Sequence, residues 1–166
     1  MFRSVKPEEL SINPFHAIGS DWMLITAQHD EKVNTMTASW GGIGIMWNDP
    51  VATCYIRPQR YTREFVDGSD YFSLCFFGGQ HREDLVLCGR VSGRDSDKIA
   101  QTGMTVMYDK AAPYFAEATT VLICRKLYRQ EMQPDCFVDP EIESHYPQKD
   151  YHIMYLGKVE ECLVQE

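Results

Sequence analysis

An antiparallel β-barrel carrying a few short helices on its outside is the fold class this sequence predicts, on three observations. Five runs rich in β-branched and aromatic residues, 22–27, 51–56, 71–77, 118–127 and 152–164, have the length and make-up of strands. Turn-forming clusters stand between them, such as Asn48-Asp49-Pro50 and Asp67-Gly68-Ser69-Asp70. The helical segments are short and do not alternate with strands as the βαβ units of a parallel sheet do, which argues against a doubly wound dinucleotide fold.

In chain order, strand 22–27 is closed by the polar cluster Gln28-His29-Asp30-Glu31-Lys32. The stretch NTMTASWGG, 34–42, begins as a strand but carries hydroxyls and small side chains where branched apolar residues are expected. Gly41, Gly42 and Gly44 read as a turn or bulge after it. Strand 51–56 is followed by a helix that opens after Pro58, a residue suited to a first turn, and runs through Arg63 to Val66 until Gly68 stops it. Beyond strand 71–77, a second helix fits 81–88 with Gly89 as its C-terminal cap, and a third fits 95–102 with Asp95 as N-cap and Gly103 past its end. Strand 118–127 precedes a segment, 133–150, that holds three prolines and several acidic residues. It reads as a surface excursion before the last strand, 152–164, and a connection of that length is either functional or mobile.

With 166 residues and 19.2 kDa, the chain is expected to form one domain spanning 1–166, large enough to bury most of its apolar surface. The 44% hydrophobic and 24% charged residues are ordinary for a globular protein, and no repeat or low-complexity tract is visible. A net charge of −8 and a pI near 5.1 argue against nucleic acid or an anionic membrane as partner, so any bound anion must be met by a local cluster. The first residues lack the apolar core of a signal peptide and nowhere do eighteen apolar residues run together, so a cytoplasmic location is expected. The six cysteines, at 54, 75, 88, 124, 136 and 162, form no zinc-type pair, and the five histidines show no paired spacing. No metal site is expected, and the thiols read as reduced and mostly buried.

One local cluster does exist. Arg57, Arg60, Arg63, Arg82, Arg90, Arg94 and Lys98 place seven of the sixteen basic residues within a quarter of the chain. In RPQRYT, 57–62, Pro58 sets a turn, Thr62 offers a hydroxyl and the helix start offers backbone amides, the groups that a phosphate requires. SGRDSDK, 92–98, adds a Ser-Gly turn and a lysine, which can hold a phosphate or a carbonyl. Arginines on a short exposed helix of an acidic protein also serve as solvated surface or salt-bridge partners. The small residues 37–39 suit a planar heterocycle, because they let backbone N–H and C=O approach its edge.

The strings NTMTASWGGIG, PVATCYIRPQRYT, YFSLCFF, CGRVSGRDSDK and DYHIMYLGKV, in this order over about residues 8–160, resemble the flavin reductase-like proteins, the flavoredoxin branch in particular. The resemblance implies an FMN-binding split barrel, antiparallel and of Greek-key type with short peripheral helices. It further implies a homodimer with one FMN per subunit near the interface, reduced by NADH or NADPH or by a redox partner protein. Asn34 and Thr37, Ala38, Ser39 and Trp40 would then lie along the isoalloxazine and ribityl chain. Arg57, Gln59, Arg60, Tyr61 and Thr62 would take the phosphate end. Ser92 and Lys98 would close the site, with Cys88 and Arg94 as neighbours. Trp40 is an aromatic wall in this reading and a buried anchor of the barrel in the alternative one. His152 matches a position close to the exposed flavin face and is the candidate catalytic residue, steering a nicotinamide; otherwise it is a satisfied structural histidine. Cys75 and Phe77 would pass beneath the ring or simply pack in the core.

Flavin carries the hydride chemistry itself, so such a protein needs only to hold it, leave a face open and place donors where negative charge grows. The absence of a nucleophile elbow, HExxH, Walker or Rossmann motif accords with this. The expected function is that of an NAD(P)H-dependent flavin reductase or a flavoredoxin-type electron-transfer protein. The alternatives are a non-catalytic FMN carrier and a barrel-shaped interaction protein without cofactor.

Overall fold

A computed structural model describes residues 1–166. Its elements in chain order are β1 (Phe2–Val5), α1 (Pro14–Gly19), β2 (Met23–His29), β3 (Lys32–Ala38), β4 (Gly41–Met46), β5 (Asp49–Ile56), α2 (Thr62–Gly68), β6 (Tyr71–Phe76), α3 (Arg82–Arg90), α4 (Lys98–Thr102), β7 (Val106–Met107), β8 (Tyr114–Phe115), β9 (Thr120–Glu131) and β10 (Ile153–Gln165). One antiparallel sheet runs β3-β2-β6-β9-β10-β5-β4, with β1 added to the far end of β10. Its two edges, β3 and β4, are consecutive in the chain and joined only by Ser39 and Trp40. The barrel is therefore split at the NTMTASWGG stretch, where the strand pattern weakens.

Period-two alternation puts successive side chains on opposite faces, and both faces of the central strands are covered. Met23, Ile25, Phe72, Leu74, Leu122 and Cys124 face the barrel interior, while Leu24, Cys75, Val121 and Ile123 pack outward beneath α3 and the β7–β8 hairpin. Tight turns hold the two edge hairpins. Asp30 and Glu31 between β2 and β3, and Trp47 and Asn48 between β4 and β5, all have positive φ, the paired left-handed conformation that matches strand twist. The long β9–β10 ribbon is bent by register shifts at Leu156/Gly157 and Val159/Glu161, which lets β10 pair with β5 at one end and β1 at the other. Gly157 sits under the Phe72 ring, where a Cβ would come within 2.8 Å of Phe72 Cζ.

Several boundaries differ from the sequence expectation, each for a local reason. Gly89 does not cap the second helix. α3 runs from Arg82 to Arg90 with His81 before it in a left-handed conformation, and Gly89 lies in its last turn against Thr37 of β3. Asp95 does not cap the third helix either: Asp97 accepts the bond from the Ala100 amide, 3.0 Å, and α4 is correspondingly shorter, while Gly103 ends it as expected. Gly41, Gly42 and Gly44 belong to strand β4, not to a turn. α2 stops at Gly68 as expected but starts only at Thr62, because Pro58 and Gln59 form a separate turn closed by the Arg60 amide on the Arg57 carbonyl, 3.0 Å. The excursion 133–150 contains two 3₁₀ segments, Pro134–Cys136 and Pro140–His145, and is anchored by the buried Tyr146.

Candidate functional site

The open edge of the split barrel forms a cleft. One part, about 210 Å³, is bounded by Met36, Thr37, Ala38, Ser39, Trp40, Tyr55, Arg57, Arg60 and His152. A second cavity of about 210 Å³ shares Met36, Arg57 and Arg60 and continues past Gln59, Tyr61 and Thr62 to Arg90, Ser92, Gly93 and Lys98. The fold thus gathers twelve of the fifteen residues singled out from sequence, drawn from β3, the β3–β4 link, the β5–α2 turn, the α3–α4 turn and the start of β10. The other three lie elsewhere. Asn34 and Arg94 line an adjoining cavity of about 400 Å³ that shares Tyr61, Gly93 and Lys98 with the second one. The Cys88 side chain is buried in the outer core, which pushes its thiol up to about 11.

The basic residues are disposed unequally. Arg57 is spent on the excursion: it donates to Asp150 Oδ2 at 2.6 Å and to the His145 carbonyl at 2.9 Å, and its guanidinium lies 5.1 Å from the Tyr146 ring. Gln59 donates to the same Asp150 oxygen at 2.7 Å. Arg94 pairs with Glu64 and lies over the Tyr61 ring, 4.6 Å from its centroid. Arg60 and Lys98 have no acidic partner. Arg60 donates to the Gly89 carbonyl at 2.7 Å, and Lys98, only 4% exposed, donates to the carbonyls of Cys88 and Val91 at 2.9 and 3.0 Å. Burial lowers the basicity of both, bringing Lys98 down to about 8; nearby Arg57 lowers Arg60 further, and Arg60 does the same to Lys98.

Two desolvated cations facing only carbonyl oxygens at the end of a cleft lack a counter-charge. That donor set fits the phosphate of FMN, since an anion there would relieve the repulsion between Arg60 and Lys98. Exposed Arg90 lines the same cavity and forms no ion pair. Thr62 is buried and accepts from Asn34 Nδ2 at 2.9 Å, which ties α2 to β3 behind the site. Gly93 is required there, because a Cβ at this position would lie 2.2 Å from Asn34 Oδ1. Ser92 caps its own turn by accepting from the Arg94 amide at 3.2 Å.

At the other end, Ala38 closes β3, and Ser39 and Trp40 are exposed. Trp40 is 42% accessible and is a wall of the cleft, not an anchor of the core. Its ring centroid is 4.8 Å from that of His152 and 5.6 Å from that of His145. Thr37 does not offer its hydroxyl to the cleft, because it donates to the Leu85 carbonyl and so pins β3 to α3. His152 is nearly buried and exchanges a hydrogen bond between Nδ1 and the Tyr146 hydroxyl at 2.9 Å. Burial, reinforced by Arg57, lowers it to about 4, so the imidazole is neutral near pH 7 and serves as a hydrogen-bonding and stacking group, not as a proton donor. Cys75 and Phe77 pack in the outer core. Sequence reasoning did not single out Tyr55, Asp150 or Tyr146 for the site. Asp150 precedes His152 by two residues, but its partnership with Arg57 spans 93 positions and leaves no local signal.

Comparison with known proteins places this geometry. The family model "Flavin reductase like domain" matches residues 15–166. A search of curated protein sequences finds no significant match. Among solved structures, flavoredoxin from Methanosarcina acetivorans is similar at 24% identity and a TM-score of 0.69, over 87% of this chain and 68% of that one. The FMN-binding domain of a flavin reductases-like enzyme from Shewanella baltica OS155 superposes with a TM-score of 0.71 at 17% identity, over 99% of this chain and 77% of its own. Flavoredoxin of Desulfovibrio vulgaris (Miyazaki F) gives 0.67 at 20% identity, over 87% and 69%. No helix of the protein is long and apolar enough to cross a membrane. The sheet is the split barrel of these structures, and the chain belongs to the flavin reductase-like domain family.

Proposed function

We propose that the protein binds FMN in this cleft and works as an NAD(P)H-dependent flavin reductase or a flavoredoxin-type electron-transfer protein. The observation that carries the reading is a pair of cations without counter-charge, half-buried Arg60 and buried Lys98, at one end of a cleft whose other end is lined by Ala38 and exposed Ser39 beside Trp40. Arg60 and Lys98, with Arg90 and the Ser92–Gly93 turn, would hold the phosphate. The amides of Ala38 and Ser39 would meet the polar edge of the ring, and Trp40 would wall it. Bound flavin supplies hydride and electron transfer. The residues of this chain would orient it and exclude water on the β3 side. His152, neutral and held by Tyr146, would position a ring against Trp40 without donating a proton.

We also propose a homodimer. β4 is a sheet edge whose Ile45 and Met46, with Trp47 of the following turn, are exposed, an apolar surface suited to a second copy. The functional reading is tested by an absorption spectrum of the purified protein with FMN, taken before and after anaerobic NADH and then NADPH. Rapid bleaching of the flavin bands by either donor supports the reductase. A bound flavin that neither donor reduces over many minutes leaves a carrier or a partner-dependent electron carrier. Failure to take up FMN removes the reading altogether.

A further inference from the structure

A second chamber lies on the opposite side of Trp40. It measures about 750 Å³, within the range of small-molecule pockets, and shares only Ser39, Trp40 and Tyr55 with the basic cleft. Three segments distant in sequence build it: α1 through Phe15 and Ile18, β4 through its glycines and Ile43, and the excursion through Phe137, Ile142 and Tyr146. The excursion wall is fixed in place. Asp150 and the His145 carbonyl hold Arg57, the Tyr146 hydroxyl meets His152, and Phe137 stacks on Tyr146 at 5.9 Å with an interplanar angle of 10°.

The chemistry of this lining is opposite to that of the cleft. No lysine, arginine, aspartate or glutamate lines it, whereas Arg57, Arg60, Arg90 and Lys98 line the cavities on the other side of Trp40. A carboxylate, phosphate or ammonium entering the chamber would shed water without gaining a fixed counter-charge. Flat rings, by contrast, would meet the aromatic faces and edges of Phe15, Trp40, Tyr55 and Tyr146. Three polar handles are unspent, since the hydroxyls of Ser39 and Tyr55 and the imidazole of His145 bond no protein group.

We propose that this chamber is a binding site for an uncharged planar aromatic molecule of one or two rings, with a hydroxyl or carbonyl that meets Ser39 or Tyr55. The lining does not suit the pyrophosphate of a nicotinamide dinucleotide. The inference rests on the chamber alone and not on the FMN reading.

Calorimetric titration with 2-naphthol and 2-naphthoate tests it, because the two share a ring system and differ in charge. The expected result is saturable binding of 2-naphthol and binding of 2-naphthoate weaker by about tenfold or more. Ile142→Arg, on a half-exposed 3₁₀ segment outside the cleft, should reverse that order and leave FMN affinity unchanged. Saturable 2-naphthol binding that Ile142→Arg weakens supports the site whether or not FMN binds. Equal affinity for the two probes, or 2-naphthol binding that Ile142→Arg leaves intact, overturns it. So does light scattering that shows an assembly which Ile142→Arg dissociates, with no naphthol binding in either form, because a second copy then fills the chamber.

Discussion

Lys98 makes the phosphate assignment open to a quantitative test. In the free protein its ammonium is buried against two carbonyls beside Arg60 and releases its proton near about 8. A phosphate favours the ammonium form, so FMN binding above that pH must first return the proton. Linkage then makes Kd rise by about tenfold per pH unit above 8, or roughly thirtyfold between pH 7 and 9.5. The window starts at pH 7 because a phosphate monoester is itself titrating near pH 6. Lys98→Gln keeps an amide that can donate to the Cys88 or Val91 carbonyl but removes the charge. It should lose one charge-assisted bond, about 1.5–3 kcal/mol or about 10- to 150-fold in Kd at pH 7, and its profile should be flat from pH 7 to 9.5. Quenching of FMN fluorescence on titration with protein reads both quantities. Parallel profiles for the wild type and Lys98→Gln would refute the assignment of the phosphate to this lysine.

Two further outcomes concern stability. His152 titrates at about 4 in the folded chain against about 6.5 when unfolded, so the unfolded state takes up the proton first and stability falls as the pH drops from 6.5 towards 4. The loss should reach about 3 kcal/mol by urea unfolding, and His152→Asn should flatten that part of the profile; an unchanged slope in the variant would show that other groups carry it. Gly157→Ala places a methyl 2.8 Å from both Cys124 Cβ and the Phe72 ring, and should cost about 1–3 kcal/mol in the same assay, with no loss meaning that the Phe72 ring moves freely.

Local chemistry was readable in the sequence where one short segment contains the whole cause. The helix after Pro58 ends at Gly68 as the pattern implies, and Gly103 takes the left-handed cap position. The barrel class followed from strand runs that are now β2, β5, β6, β9 and β10. Elements defined by pairing partners were not readable: β4 is glycine-rich and half-exposed, and becomes a strand because β5 pairs with it along its whole length. The choice between Asp95 and Asp97 as cap was not visible either, since both have the required side chain and only Asp97 stands where the Ala100 amide can reach it. In the site, RPQRYT and SGRDSDK marked the right turns, yet the division of labour among the cations depends on distant partners. Asp150 occupies Arg57, and Glu64 occupies Arg94, while Arg60 and Lys98 meet only carbonyls. The aromatic chamber was hidden for the same reason, being assembled from α1, β4 and the excursion.

The central claim is that an unmatched pair of cations, buried Lys98 and half-buried Arg60, receives a phosphate, and side-by-side titration of the protein with FMN and with riboflavin tests it most directly. The two ligands share the ring and the ribityl chain and differ only in the phosphate. The account predicts FMN binding tighter than riboflavin by about a hundredfold or more, the value of two charge-assisted bonds. Equal affinity for the two would contradict it.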